Sequence, residues 1–520
     1  MRFFRQPLRI FFLEIINHFL NNFTVVISRP AFISRLMMIN SIQRQSLISL
    51  LSTLALTAVG FLSTMYFAHS IGPAPLGEYF LFLAYFGVFN LIGDGGFGGA
   101  AVKRISEGED QDEYLSAFIF LRIVLLVVSI SALILMASYL RIMSSGIFFW
   151  LLLALVISVF SSSTAMAVYG TGKVGIYQIT VFLDAFVRTI VQVVAVFVGY
   201  SSGGLTGGFV VGMIAGGLIN YRSIDLRLVR FKVSHIKNLL GFSMWSFLTS
   251  SGSLVFSYAD TILISYFLGN ADVGIYRTAF QLTSIATFTT MALHTVLYPK
   301  ISNWGVENNL IAIENALSRA FTYSLILAVP VCVGGWILGE RLLFFLYGSS
   351  FVQGSDTLYL LFLVQVVNVF MYLGTMSLNA LNKPKDAFLV TVVASVANII
   401  LDLYLIPILG ISGAAIATLI AMTLNAIIAL ILLSRIISVK LEYKPVRNII
   451  VAASVMAITI GIIRLLVPFA NVLLVLGAIG LGAGLYAIVL LKIDRGLHDE
   501  IRDLIVNLGL PWPRWLREGF

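Results

Sequence analysis

Long apolar runs, each followed by a short polar piece, set the plan of this chain. A membrane-spanning helix needs about 20 mostly apolar residues. Runs at 48–68, 79–100, 115–138, 146–169, 176–199 and 205–220 qualify, and a polar stretch at 221–240 follows them. Six further runs lie at 241–268, 276–298, 320–338, 357–379, 387–406 and 411–433, and two more at 449–466 and 472–491. The pattern predicts an all-α polytopic membrane protein of about fourteen transmembrane helices. Its expected organisation is a tail (1–45), an N-lobe (46–220), a linker (221–240), a C-lobe (241–434), two C-terminal spans (435–491) and a second tail (492–520).

Charge tests the span count. Of 33 Lys and Arg, 27 fall in the tails and alternate loops, 4 inside the spans and only 2, Arg141 and Arg341, in the intervening loops. Loops that stay in the cytoplasm during insertion are enriched in Lys and Arg. A miscounted span would exchange the two loop classes, so the contrast supports fourteen spans with both termini cytoplasmic. The linker, with Arg222, Arg227, Arg230, Lys232 and Lys237, is the most basic loop between spans. The composition, 59% hydrophobic and 11% charged, excludes an ordinary soluble surface, since average chains are about 25% charged. The net charge of +9 is assigned to anionic lipid headgroups and not to nucleic acid. The single cysteine, Cys332, sits in an apolar run, which excludes an intrachain disulfide and a cysteine-based metal site. No metal is expected.

In the first tail, Glu14, Asn17, His18, Asn21 and Asn22 are spaced at i, i+3, i+4, i+7 and i+8, with Phe11, Phe12, Ile15, Ile16, Phe19, Leu20 and Phe23 between them. A helix there has one polar and one apolar face, suited to lying in the membrane plane or docking on the protein itself.

The two sets of six spans look related. Gly72, Gly77, Tyr79 and Lys103 recur 197 positions later as Gly269, Gly274, Tyr276 and Lys300. Gly204-Leu205-Thr206-Gly207 resembles Gly410-Ile411-Ser412-Gly413 at an offset of 206. Helices six spans apart run in the same direction. The expectation is therefore a parallel repeat about an axis along the membrane normal, the arrangement in which two lobes rock around a central site.

Tyr258-Ala-Asp260, Phe267-Leu268-Gly269 and Val273-Gly274-Ile275-Tyr276 resemble the seventh and eighth spans of polysaccharide transporters, the Wzx-like oligosaccharide flippases of the MATE-like MOP superfamily. Leu381-Asn382-Lys383-Pro384, Leu405-Ile406-Pro407 and Gly413-Ala414-Ala415-Ile416-Ala417 are similar to their eleventh and twelfth spans. Gly93-Asp94-Gly95-Gly96-Phe97-Gly98 with Lys103-Arg104 resembles the end of their second span. The resemblance implies a two-lobed transporter of the cell (inner) membrane. Its implied cargo is a polyprenyl-(di)phosphate-linked oligosaccharide, moved from the cytoplasmic to the outer leaflet. It also implies no organic cofactor, H⁺ or Na⁺ as the candidate coupling ion, membrane lipids as surroundings, polysaccharide polymerase or glycosyltransferases as candidate partners, and a monomer. A cation-coupled multidrug exporter and a lipid II flippase are the alternatives within the superfamily.

Ionisable residues inside hydrocarbon face a wet cavity, pair, or reach an interface. Asp184 and Arg188 stand at i, i+4 and are expected to neutralise each other. Asp260 and Arg277 sit on adjacent antiparallel spans at a spacing that suits a salt bridge. Arg122, about two turns into the third span, is expected to meet a lipid diphosphate or to snorkel. These five are the substrate-cavity candidates. Asp94, His294 and Asp402 are the candidates for proton or ion coupling, and Asp402 is also placed to cap a backbone break before Pro407. Gly93, Gly95, Gly96 and Gly98, with Asp94, read as a hinge or close-packing seam. A phosphate loop is excluded there, because no strand precedes the glycines and no GKS or GKT follows.

The acids expected in the outer loops, Glu78, Asp272, Glu340 and Asp356, are too dispersed for an acid–base pair, and no large outer loop exists to carry a catalytic site. An enzyme is therefore not expected. Arg122, Arg188 and Arg277 would repel a cationic drug and attract a phosphate, which favours an anionic lipid-linked cargo over drug export.

Overall fold

The computed structural model describes residues 41–140, 146–438 and 441–507. The amphipathic pattern around Glu14 to Phe23 and the end of the second tail lie outside the described residues.

Among the described residues every regular element is helical. The N-lobe comprises α1 (Ser41–Ile71), α2 (Pro73–Asp94), α3 (Phe97–Ser106), α4 (Gln111–Met136), α5 (Ile147–Gly170), α6 (Val174–Val198) and α7 (Ser202–Arg222). The C-lobe comprises α8 (Val233–Phe267), α9 (Asn270–Thr283), α10 (Phe288–Val306), α11 (Leu310–Tyr347), α12 (Ser355–Ala380), α13 (Pro384–Leu409) and α14 (Ile411–Ser434). Then come α15 (Tyr443–Leu466), α16 (Val472–Ile493) and a short polar-faced α17 (Arg495–Asn507). Among the described residues eleven helices are long and apolar enough to cross a membrane, and α1 and α8 carry the shorter apolar stretches Leu56–Ile71 and Leu254–Phe267. The chain is a multi-pass membrane protein, and its outward side chains agree: Leu135 is 74% and Leu465 87% exposed, a cost in water but not in lipid.

Local chemistry explains the ends and breaks. Pro73 and Pro384 occupy the first turns of α2 and α13, where a missing N–H costs nothing. The second span is not one helix. α2 stops at Asp94, Gly95 and Gly96 take left-handed φ values of 59° and 77°, and α3 restarts at Phe97. The eighth span also breaks, through a 3₁₀ turn at Ser284–Thr287. Between the lobes only 223–232 is non-helical, because α8 begins at Val233 inside the stretch that charge alone marks as linker.

Apolar surface gains nothing by leaving lipid for another helix, so the lobes are held by close packing and hydrogen bonds. The largest core cluster joins both lobes through Phe82, Phe89, Leu151, Ile264, Tyr276 and Phe362. A separate cluster of Phe97, Ala100, Ile105, Phe118, Ala167 and Leu239 ties the end of the N-lobe that carries the linker to the start of α8. That end, rich in Lys and Arg, is called the basic end below. α15 and α16 pack on α11 through Leu325, Leu338, Ile449, Met456 and Tyr486.

Near the far end the repeat-related glycines meet each other. A Cβ on Gly77 would fall 1.7 Å from the Asn270 carbonyl oxygen, and one on Gly274 would fall 2.1 Å from that of Pro73. α2 and α9 therefore touch backbone to backbone across the lobe interface, an approach that small residues alone allow.

Candidate substrate and coupling sites

Three groups of buried or half-buried charges occupy the helices, and each differs from the pairing that sequence spacing suggests. The first surrounds Arg122 on α4, which is 1% exposed. Its Nη2 donates to Asn90 Oδ1 (3.0 Å) and Ser162 Oγ (2.9 Å), and its Nη1 stands 3.4 Å from Asp94 Oδ1. Four polar neighbours from α2 and α5 thus enclose the guanidinium once Ser158 is included. It neither snorkels nor opens to a headgroup, which corrects the expectation for this residue. Burial of the whole side chain, not its depth along the helix, decides this.

The second group lies where the lobes face each other. Arg188 on α6 does not form an ion pair with Asp184. It stacks over the Phe209 ring, 5.6 Å from the centroid, while Asp184 Oδ1 is buried without a hydrogen-bond partner against Gly212. Arg277 on α9 likewise does not reach Asp260. It donates to the Ser257 carbonyl (3.2 Å) and sits among Phe80, Tyr258 and Phe280, 5.6–6.0 Å from their centroids. Phe80 belongs to the N-lobe, so the aromatic box closes only when the lobes meet. Both arginines are half-buried, and neither has a carboxylate ion-pair partner among the described residues. An aromatic face stabilises a guanidinium without using its N–H donors, which leaves the planar fork open to a phosphate.

The third group is in the C-lobe. Asp260 on α8 accepts from the hydroxyls of Tyr276 on α9 and Thr418 on α14, the latter at 2.7 Å. Its charged neighbour is Asp402 on α13, which is fully buried. Both oxygens of Asp402, Oδ1 of Asp260 and Nδ2 of the adjacent Asn398 lack hydrogen-bond partners. Two carboxyl groups facing each other in a buried site favour a shared proton or a bound cation. Asp402 caps no break, because α13 runs unbroken through Pro407 to Leu409. His294, half-buried on α10, meets the Tyr298 and Tyr372 rings and belongs to none of these groups.

The sequence reading passed over several partners: Asn90, Ser158 and Ser162 around Arg122, Thr418 beside Asp260, and Asn398 beside Asp402. Part of the signal was available. At the offset of 206, Asn398 and Thr418 correspond to Gln192 and Gly212 in the N-lobe. There Gln192 donates to Tyr79 Oη (3.0 Å) and the Leu205 carbonyl (2.7 Å), so the repeat keeps a polar spot and changes its charge.

Away from these charges, a crevice of about 370 Å³ opens between the lobes toward the far end, lined chiefly by Leu81, Tyr85, Ile262, Leu263, Tyr266 and Leu403. It is apolar, since its Ser265 and Asn270 side chains bond to each other at 3.0 Å.

The chain is similar to a probable low-salt glycan biosynthesis flippase of Haloferax volcanii, 29% identical over 76% of this chain and 84% of that protein. A probable flippase of the same organism is 26% identical over 86% of this chain and 95% of its own length. Among solved structures, the lipid II flippase MurJ in an inward closed conformation superposes with a TM-score of 0.74 over 88% of this chain and all of that one, at 20% identity. An inward-facing multidrug resistance MATE family transporter superposes with a TM-score of 0.61 over 73% of this chain and 94% of its own, at 15% identity. Residues 246–404 match the MatE family model. Residues 42–304, half of the sequence, match the model described as polysaccharide biosynthesis protein, and the chain belongs to that family.

Proposed function

We propose that this protein flips a lipid-linked oligosaccharide across the cell membrane by alternating access of its two lobes. The observation that carries the reading is the pair Arg188 and Arg277. One comes from each lobe, both lie half-buried on aromatic rings, and neither has a carboxylate at ion-pair distance among the described residues. Two unneutralised guanidinium groups suit a polyprenyl-linked phosphate or diphosphate, whose oxygens accept paired N–H donors. The names of the Haloferax relatives point the same way. The basic end faces the cytoplasm, as its excess of Lys and Arg favours, and the cargo moves outward. The isoprenoid tail stays in lipid beside the apolar crevice while the headgroup crosses. Glycosyltransferases supply the cargo, and a polymerase or oligosaccharide transferase takes it up.

Energy enters at Asp260 and Asp402. A proton or Na⁺ bound by the two carboxyl groups, with the Thr418 hydroxyl and the Asn398 amide beside them, leaves the C-lobe site with a single negative charge, and its departure leaves two facing anions. The charge change biases the lobes between their two arrangements.

The test is the sidedness of lipid-linked oligosaccharide in cells lacking the gene, read with a membrane-impermeant sugar-modifying probe. Cargo should collect on the inner leaflet, and the wild-type gene should clear it while Arg188→Ala and Arg277→Ala genes should not. Unchanged sidedness in the deletion strain would discard the reading in favour of cation-coupled drug export, for which dye efflux is the assay.

A further inference from the structure

The cluster around Arg122 serves neither the headgroup nor the coupling ion in the reading above. The guanidinium nonetheless gathers an ion pair and three polar partners on its two terminal nitrogens, and it sits on a helix break. α2 ends in two successive left-handed glycines, so nothing in the backbone itself fixes the angle between α2 and α3. The new helix also starts with unsatisfied N–H groups. Asp94 answers both needs. Its Oδ2 accepts from the Gly98 N–H at 3.3 Å, inside the first turn of α3, while its Oδ1 stands 3.4 Å from Arg122 Nη1. Arg122 also holds Asn90, one turn back on α2, and Ser162 on α5. The guanidinium therefore fastens the α2 side of the break to α5 directly and reaches the α3 side through Asp94.

The angle so set has a consequence on the other lobe. Gly96 lies against the α8 backbone so closely that a Cβ would stand 2.3 Å from the Ser243 oxygen and 2.6 Å from the Phe247 nitrogen. α3 seats on α8 only at this angle, and the seat closes the basic end of the lobe interface. The two members of the pair differ in access: Arg122 is 1% exposed and Asp94 25%. Separating them would strand a buried cation, which is strongly unfavourable.

We infer that Arg122 is a positioning residue that, through Asp94, sets the angle of α3 and holds the basic-end gate between α3 and α8 closed. The inference rests on the alternating-access reading, but its test needs no substrate. In a Cys332→Ala background, spin labels at Glu109→Cys and Lys383→Cys report the basic end, and labels at Tyr200→Cys and Leu409→Cys report the far end; all four positions are exposed. Pulsed electron resonance on purified, monodisperse protein should give a single short basic-end distance for the parent. Asp94→Asn, which keeps the shape of a partly exposed side chain, and Arg122→Lys, which keeps the charge but loses the fork, should each add a longer basic-end component and leave the far end unchanged. Transport should fall roughly three- to tenfold in both. Parent-like basic-end distances in both variants would overturn the inference, whether or not transport falls. Longer distances in a protein that moves no oligosaccharide would support the gate and reject the cargo.

Discussion

The two lobes share a plan and differ in charge. At the offsets that relate them, Tyr79 corresponds to Tyr276 and Gln192 to Asn398, yet Ser63 and Val196 stand where the C-lobe has Asp260 and Asp402. The N-lobe buries a cation, Arg122, and neutralises it with Asp94. The C-lobe buries two carboxyl groups, gives Asp260 only hydroxyls and leaves both Asp402 oxygens without a hydrogen-bond partner. A paired charge inside a membrane protein suits a fixed element, and an unpaired one suits a species that comes and goes. Unequal compensation in otherwise matching lobes therefore separates the part that holds shape from the part that exchanges an ion.

The greatest effect should come from the uncompensated pair. Asp402→Asn or Asp260→Asn is expected to lower flipping at least about a hundredfold, or about 2.8 kcal/mol, and to abolish its dependence on an imposed Na⁺ or proton gradient in vesicles. Gradient dependence that survives both changes would end the assignment of coupling to the C-lobe. Next come Arg188→Ala and Arg277→Ala, each costing about 2 kcal/mol of headgroup binding or more. The matching Lys variants should recover only part, because an ammonium lacks the guanidinium fork. Headgroup affinity measured by competition with a soluble diphosphate sugar would show whether both lobes contribute.

Smaller changes sharpen the contrast. Gly274→Leu forces a side chain into the Pro73 carbonyl and should cost about 1–3 kcal/mol of stability, visible as a lower Tm in detergent. An unchanged Tm would mean that the lobes do not pack there. Thr418→Val removes one hydrogen bond to Asp260, worth about 1 kcal/mol, and should slow transport a few-fold. Tyr79→Phe, at the related N-lobe position, should do least, since Gln192 keeps its bond to the Leu205 carbonyl. Equal effects of these last two would remove the distinction between the lobes.

Much of the architecture was legible in the residues. Run length gives the spans, and Gly77 and Gly274 mark the repeat whose copies meet in space. The charged residues stand out in the sequence, but their partners do not. Asp184 and Arg188 satisfy the i, i+4 rule and still do not pair, because Phe209 offers the guanidinium a face and Gly212 lets Asp184 sink between helices. Asp260 and Arg277 are neighbours in sequence order. Yet α13 and α14, some 140 residues on, supply the groups that surround Asp260.

The sequence by itself determined that the chain is a bundle of membrane-crossing helices and that two halves repeat, because burying a peptide in lipid demands a long apolar helix whatever its neighbours are. Tertiary structure alone decided which charges are compensated. Compensation depends on the few ångströms around each side chain, and in a helical bundle those are filled by residues from helices that are remote in sequence.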